Sequence, residues 1–199
     1  MEIPWVLSRY HQEARVLDIG TSNATPLYLR HLQGLRIREL HGVDLAPRRF
    51  RKIQMHVTDV RTLPFPDSYF DLVLCVSTIE HIGLDNTLYA VSAQPEQSGD
   101  LATLTELNRV LRRQGRALVT APCGQPGSYG WYRQYDVAGW KRLVSDAGFE
   151  HLALNLFEHS DEGWRRTGEE ASPNRAYQAG GAPNASGVIC AELTPKTRR

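Results

Sequence analysis

The chain lacks most of the signals by which a sequence declares a specialised environment. Across 199 residues it has three cysteines, Cys75, Cys123 and Cys190, odd in number and widely spaced. Neither a disulfide framework nor a paired CxxC zinc pattern can be built from them. Cys75 and Cys190 fall in apolar runs and are expected as small buried hydrophobes, which points to a reducing compartment, the cytoplasm. No apolar run approaches the ~18 to 20 residues that a membrane helix needs. The first residues, MEIPWVLSRYHQE, carry neither the basic region nor the long apolar segment of an export signal. Charge of one sign is missing too, since 23 Lys and Arg stand against 22 Asp and Glu. Such a balance offers no broad basic surface to a nucleic acid. There is no HxxxH and no carboxylate triplet, and His151 and His159 are isolated, so no metal is expected.

What is present is an ordinary globular composition, 41% hydrophobic and 23% charged, at a length suited to one domain spanning residues 1–199. Strand-like and helix-like runs alternate throughout, as in an α/β domain on a mostly parallel sheet. Arg15 to Ile19 (RVLDI) is an apolar run stopped by Gly20, and residues 25–35 carry leucines at 27, 29, 32 and 35 that suit a helix. Further strands are expected at 37–43, 54–57, 69–76, 116–121, 152–157 and 188–193, seven in all. Helical spacing covers 101–113, with Gly115 as its stop, and a second helix follows Asp136, which can cap it. Residues 160–187 are rich in Gly, Pro, Asn, Ser and charge and read as a long surface loop, and 194–199 as a frayed tail. Pro4 and Trp5 open a short apolar stretch, either a lead-in helix over the ligand edge or a partner-facing terminus.

Ligands of an open α/β sheet bind beyond the carboxyl ends of its strands. The positions to inspect are therefore 18–23, Asp44, Asp59 and 77–81. Asp44 lies 24 residues after Gly20, near the ~20-residue offset at which an acidic group takes the ribose hydroxyls of an adenosine cofactor. The first loop reads Gly-Thr-Ser-Asn-Ala-Thr instead of the GxGxxG that closes on a pyrophosphate, which disfavours a nicotinamide dehydrogenase.

VLDIGTSNAT, HGVDLAP, HVTDVRTLPFPDSYFDLVLC and LNRVLRRQGRALVTAPCG resemble, in order, the motifs of class I S-adenosylmethionine-dependent methyltransferases over about residues 15–122. STIEHIGL with Gly99-Asp100-Leu101 is similar to small methyltransferases of glycan and natural-product pathways. The resemblance implies a Rossmann-like seven-stranded sheet, mostly parallel with the last strand antiparallel and helices on both faces. It divides the chain into a lead-in (1–14), a cofactor-binding core (15–122) and acceptor-side loops with closing strands (123–199). It implies S-adenosylmethionine as cofactor, with Asp18 and Gly20 beside its methionine part, Asp44 on the ribose, and Asp59 and Val60 at the adenine. Thr21, Ser22, Leu45 and Ser77 complete the expected cofactor set. Ser22 stands where the family has a second glycine, so its side chain is expected to crowd the cofactor, a feature also compatible with a non-catalytic binding or partner module.

Transfer to a hydroxyl needs a base, and His81, just after the fourth strand, is the candidate, with Glu80 to orient it. The alternative is that His81 packs beneath the loop while Glu80 is solvated or paired to a base such as Arg109. Tyr129, Trp131, Tyr132, Arg133 and Tyr135 follow the fifth strand in a Gly-rich loop, either as the binding site for a sugar or planar acceptor or as a lid without substrate contact. Arg165, Arg166 and Arg175 are candidates for an anionic group on that acceptor. The expected activity is O-methylation of a sugar or small natural product, with N- or C-methylation as alternatives.

Overall fold

The computed structural model describes residues 1–87, 94–170, 172–176 and 185–197. In chain order the helices are α1 (Glu2–Leu7), α2 (Pro26–Gly34), α3 (Gly99–Val110) and α4 (Val137–Asp146). The strands are β1 (Arg15–Ile19), β2 (Glu39–Asp44), β3 (Gln54–Val57), β4 (Phe70–Val76), β5 (Leu111–Pro122), β6 (Gly127–Ser128), β7 (Arg133–Gln134), β8 (Phe149–Ser160), β9 (Gly163–Thr167) and β10 (Gly187–Pro195). Eight of them form one sheet in the order β3-β2-β1-β4-β5-β10-β8-β9, while β6 and β7 pair separately. The pairings from β3 to β5 are parallel; β10 runs antiparallel to both β5 and β8, and β9 antiparallel to β8.

The apolar pattern explains this layering. β4 (FDLVLCV) lies between β1 and β5 and is covered on both faces, so it reads as a nearly continuous hydrophobic run. Alternate residues serve opposite layers. Val16, Leu72, Leu74 and Leu118 pack with Trp5, Val6, Tyr28, Leu29 and Leu32 from α1 and α2. Leu17, Val73, Cys75 and Val119 pack with Leu104, Leu107, Trp140 and Val144 from α3 and α4. Helices thus cover both faces, and each fully buried aliphatic side chain contributes about 1.5 to 3 kcal/mol by leaving water. The caps sit where the sequence puts them: Thr25 accepts the Tyr28 N–H ahead of Pro26, and Asp136 accepts the Gly139 N–H at 2.6 Å.

The structure corrects three expectations. The sheet has eight strands, not seven, because 160–187 is not a loop throughout: residues 163–167 (GWRRT) form β9, a hairpin on β8. Its polar side chains look like loop, but an edge strand needs only backbone partners on one side. The helix expected over 101–113 is Gly99–Val110, and Leu111 already pairs with Phe70 in β5. Gly115 is therefore no helix stop. It lies where the β4–β5 register shifts, and because Leu111 is buried either way, apolar spacing could not separate the two states. Of the tail, Thr194 and Pro195 belong to β10, while residues 198 and 199 lie outside the described ones. Cys75, Cys123 and Cys190 are all free and buried. Among the described residues, no helix is long and apolar enough to cross a membrane.

Candidate active site

β1 to β4 are parallel, so their carboxyl ends share one edge, where a cavity of about 340 Å³ opens. At its centre β1 turns through Gly20, whose φ of +79° falls in the left-handed region; a Cβ there would come within 2.5 Å of Thr78 Oγ1. Only glycine satisfies both demands. Beside it, Asp44 Oδ1 accepts the Ala46 N–H at 3.0 Å and Oδ2 accepts the Ser22 N–H at 2.9 Å. Each oxygen retains a second acceptor site, and the carboxylate is held in place by two backbone groups.

Asp18 forms the floor, 1% exposed, with Oδ1 accepting from the Tyr28 hydroxyl at 2.6 Å and Oδ2 from Thr21 at 2.8 Å. Burial pushes its carboxyl up to about 7; the two hydrogen bonds oppose this and the neighbouring Asp44 adds to it. At the β3 end, Asp59 receives the Arg61 guanidinium from Nε and Nη2 together with the Arg61 N–H, which holds its carboxyl below the usual range. Arg61 also reaches Glu96 at 2.7 Å.

Leu45, Val60, Ser77 and His81 complete the expected residues that line the cavity with Asp18, Gly20, Asp44 and Asp59. Thr21 and Ser22 do not line it. Ser22 faces away, its hydroxyl donating to the Ala46 carbonyl at 2.7 Å, so the expected crowding does not arise. The residue instead lends its backbone N–H to Asp44.

His81 lies on a 3-10 turn, Ile79–His81, after β4. Its Nδ1 donates to the Trp131 carbonyl at 2.8 Å, since a carbonyl can only accept. Burial lowers its pKa, against the opposing effect of that bond. The orienting hydrogen bond therefore comes from Trp131 and not from Glu80, which approaches Nε2 only to 3.8 Å. Glu80 is neither solvated nor paired to Arg109. It is 3% exposed, burial drives its carboxyl well above the usual range, and Arg109 pairs with Asp67 and Glu106. The Trp131 ring stacks on His81 at 5.2 Å, with Tyr132 6.0 Å from His81 and Tyr129 6.1 Å from Tyr132.

The methyltransferase domain family matches residues 17–119, more than half of the chain. The chain belongs to that family. It is a class I S-adenosylmethionine-dependent methyltransferase. No curated protein matches it in sequence. Solved structures match in fold. A Burkholderia thailandensis 1,6-didemethyltoxoflavin-N1-methyltransferase with bound 1,6-didemethyltoxoflavin and S-adenosylhomocysteine has a TM-score of 0.63 at 16% identity, over 98% of this chain and 77% of that one. A putative methyltransferase from Haloferax volcanii, in complex with a methyltransferase activator, has 0.65 at 16%, over 100% and 90%. A possible histamine N-methyltransferase from Thermotoga maritima has 0.60 at 19%, over 98% and 88%.

Other expected acceptor residues of the methyltransferase are committed elsewhere. Arg133 donates to the carbonyls of Ile82, Glu96 and Gln97, and Tyr135 donates to Asp100 at 3.1 Å; neither lines the cavity. They brace the segment that carries the cavity rim. Arg165 and Arg166 sit on β9, at the opposite edge of the sheet, and both Arg165 and Arg175 pair with Glu158. The terminus is not partner-facing at Trp5 and Val6, which are buried against the sheet as part of α1. Sequence reasoning missed Glu2, Ile3, Tyr28, Arg61 and Asn86, all in the lining. Tyr28 had a signal, an aromatic one turn into α2 facing an acidic strand end. Glu2 and Asn86 had none, because only tertiary packing brings them in. Among the described residues, no cluster of three or more His, Cys, Asp or Glu has the geometry of a metal site.

Proposed function

We propose that the methyltransferase O-methylates a small acceptor, a sugar or natural product, with His81 as the base. The observation that carries this reading is an imidazole oriented by the Trp131 carbonyl on the wall of the same cavity that Asp18, Gly20, Asp44 and Asp59 line. Bound S-adenosylmethionine supplies an electrophilic methyl group on a sulfonium. The residues present fit it: Asp44 keeps one acceptor site on each oxygen for a vicinal diol, the bare Gly20 turn allows close approach, and Leu45 and Val60 give apolar surface for a ring. Asp59 would meet the adenine with most of its acceptor capacity already taken by Arg61.

Donation from Nδ1 leaves Nε2 as the unprotonated nitrogen of neutral His81, and its lowered pKa keeps that form dominant at pH 7. Nε2 can then take the hydroxyl proton as the acceptor oxygen becomes nucleophilic, a contribution of about 10²- to 10⁴-fold. Tyr129, Trp131 and Tyr132 do not line the cavity and Tyr132 is buried, so only Trp131, stacked on His81, and the exposed Tyr129 would flank a planar or sugar acceptor, beyond the cavity lining. A nitrogen acceptor is the second reading, favoured by the N-methyltransferase names of two fold neighbours. Incubation with methyl-labelled S-adenosylmethionine and panels of sugars, phenols and heteroaromatic amines tests both. Label on a hydroxyl oxygen is expected, and label confined to nitrogen would replace the first reading by the second.

A further inference from the structure

We propose that Glu2 is a specificity-determining residue whose carboxylate reads the positive charge of the sulfonium, so that S-adenosylmethionine is preferred over S-adenosylhomocysteine. This rests on the cofactor placement proposed above. Strand order arranges the cavity groups in a line: Asp59 after β3, Asp44 at the end of β2, Asp18 and Gly20 at β1, then Ser77 after β4. With the ribose on Asp44 and the base toward Asp59, the sulfur end falls over β1 and β4. Glu2 stands there, its Oε1 accepting the Ser77 hydroxyl at 2.6 Å.

Among the described lining residues, that end of the cavity carries Glu2 and Asp18 and no Arg or Lys; the Met1 ammonium stands one residue from Glu2, outside the lining. Arg61 is the only Arg or Lys among the described lining residues, and it lies at the other end, engaged by Asp59 and Glu96. Burial raises the Asp18 carboxyl, and the neighbouring Asp44 adds to it. A sulfonium placed there would face the Glu2 carboxylate.

The helix that carries Glu2 is anchored at Trp5. Trp5, three residues on, is 6% exposed and donates to Asn155 at 2.8 Å, with the Arg9 guanidinium 4.1 Å over its ring and Arg9 paired to Glu192 at 3.5 Å. Ser77 itself has a φ of +44°, a strained backbone for a residue with a side chain, and donates its N–H to Thr120 at 3.0 Å. The α1 segment is thus strapped across β10 and β8 while its first turn meets the cavity.

The two ligands share an ammonium and a carboxylate at the amino-acid end, so contacts to those groups cancel in their affinity ratio. What differs is the methyl group and the sulfonium charge it creates, since transfer removes the methyl and leaves the bonding pair on a neutral thioether; Glu2→Gln alters only the response to the charge. Titration calorimetry on wild type and Glu2→Gln, with S-adenosylmethionine and S-adenosylhomocysteine separately, reads that ratio. Glu2→Gln is expected to weaken S-adenosylmethionine about three- to tenfold while S-adenosylhomocysteine stays within about twofold, the size of one partly screened charge pair. Glu2→Asp, which keeps the charge, is expected to restore part of the preference. Equal losses for both ligands, or an unchanged ratio, would overturn the assignment. Wild type binding neither ligand would overturn the cofactor placement itself, a failure distinct from an unchanged ratio.

Discussion

The two halves of the cavity are built on different principles. The half over β1, β2 and β3 is assembled from strand ends: Asp18, Asp44 and Asp59 each fall at or just after a short apolar run, and each carboxylate accepts from a group two or three residues on, Asp18 from the Tyr28 hydroxyl of α2 as well. The half over β4 is assembled from distant segments. His81 is aimed by the carbonyl of Trp131, fifty residues later, and Ser77 meets Glu2 across 75 residues. On the proposed reading, the first half would hold the cofactor by strand-end geometry and the second would carry the chemistry by long-range packing. The lesson is that a family's common ligand can be held by local motifs, while the reacting end needs the whole fold to be in place.

Substitutions can break this division. The largest effect is expected at His81→Gln, which should cost about 10² to 10⁴ in kcat and leave the cofactor Kd nearly unchanged in calorimetry. In wild type, kcat should fall as the solution is acidified below the lowered His81 pKa, because the protonated ring cannot accept a proton; stopped-time label transfer across pH checks this. Asp44→Asn comes next. It converts two acceptor oxygens into one and should weaken S-adenosylmethionine about 10- to 100-fold, roughly one or two charge-assisted hydrogen bonds. Ser22→Gly is its control: the side chain faces Ala46, so affinity should move by no more than about threefold.

Asp18 sharpens the comparison through stability. Its pKa is about 7 in the fold, against 3.8 when unfolded, so between these values the native state holds a proton that the unfolded chain releases. Its contribution is therefore present below about pH 4 and lost as pH rises through 7, on the order of a few kcal/mol. Thermal melts of the ligand-free protein should lose stability over that window, Asp18→Asn should flatten the slope, and saturating S-adenosylmethionine should reduce it by favouring the ionised form. A wild-type slope unchanged in Asp18→Asn would assign the effect to other groups.

Local patterns made much of this legible. The apolar runs at β1 and β4 end at Gly20 and Ser77, and the capping residues Thr25 and Asp136 stand where helices begin. Less legible were residues whose partners are remote. Arg133 looks like an anion ligand in the chain, yet its guanidinium is spent on three backbone carbonyls. Glu80 looks like a companion to His81, yet it is buried with its carboxyl pushed upward, lies outside the lining and comes no nearer than 3.8 Å to Nε2.

By itself, the sequence determined the α/β alternation and the placement of Asp18, Gly20, Asp44 and Asp59 at strand ends, because periodicity and strand termination are local properties of the chain. Tertiary structure alone decided that GWRRT joins the sheet, that Ser22 turns away from the cavity, and that Glu2 and Trp131 meet the β4 end. Those outcomes depend on which surfaces remain to be covered once the strands have paired, and on which polar groups burial leaves to be satisfied.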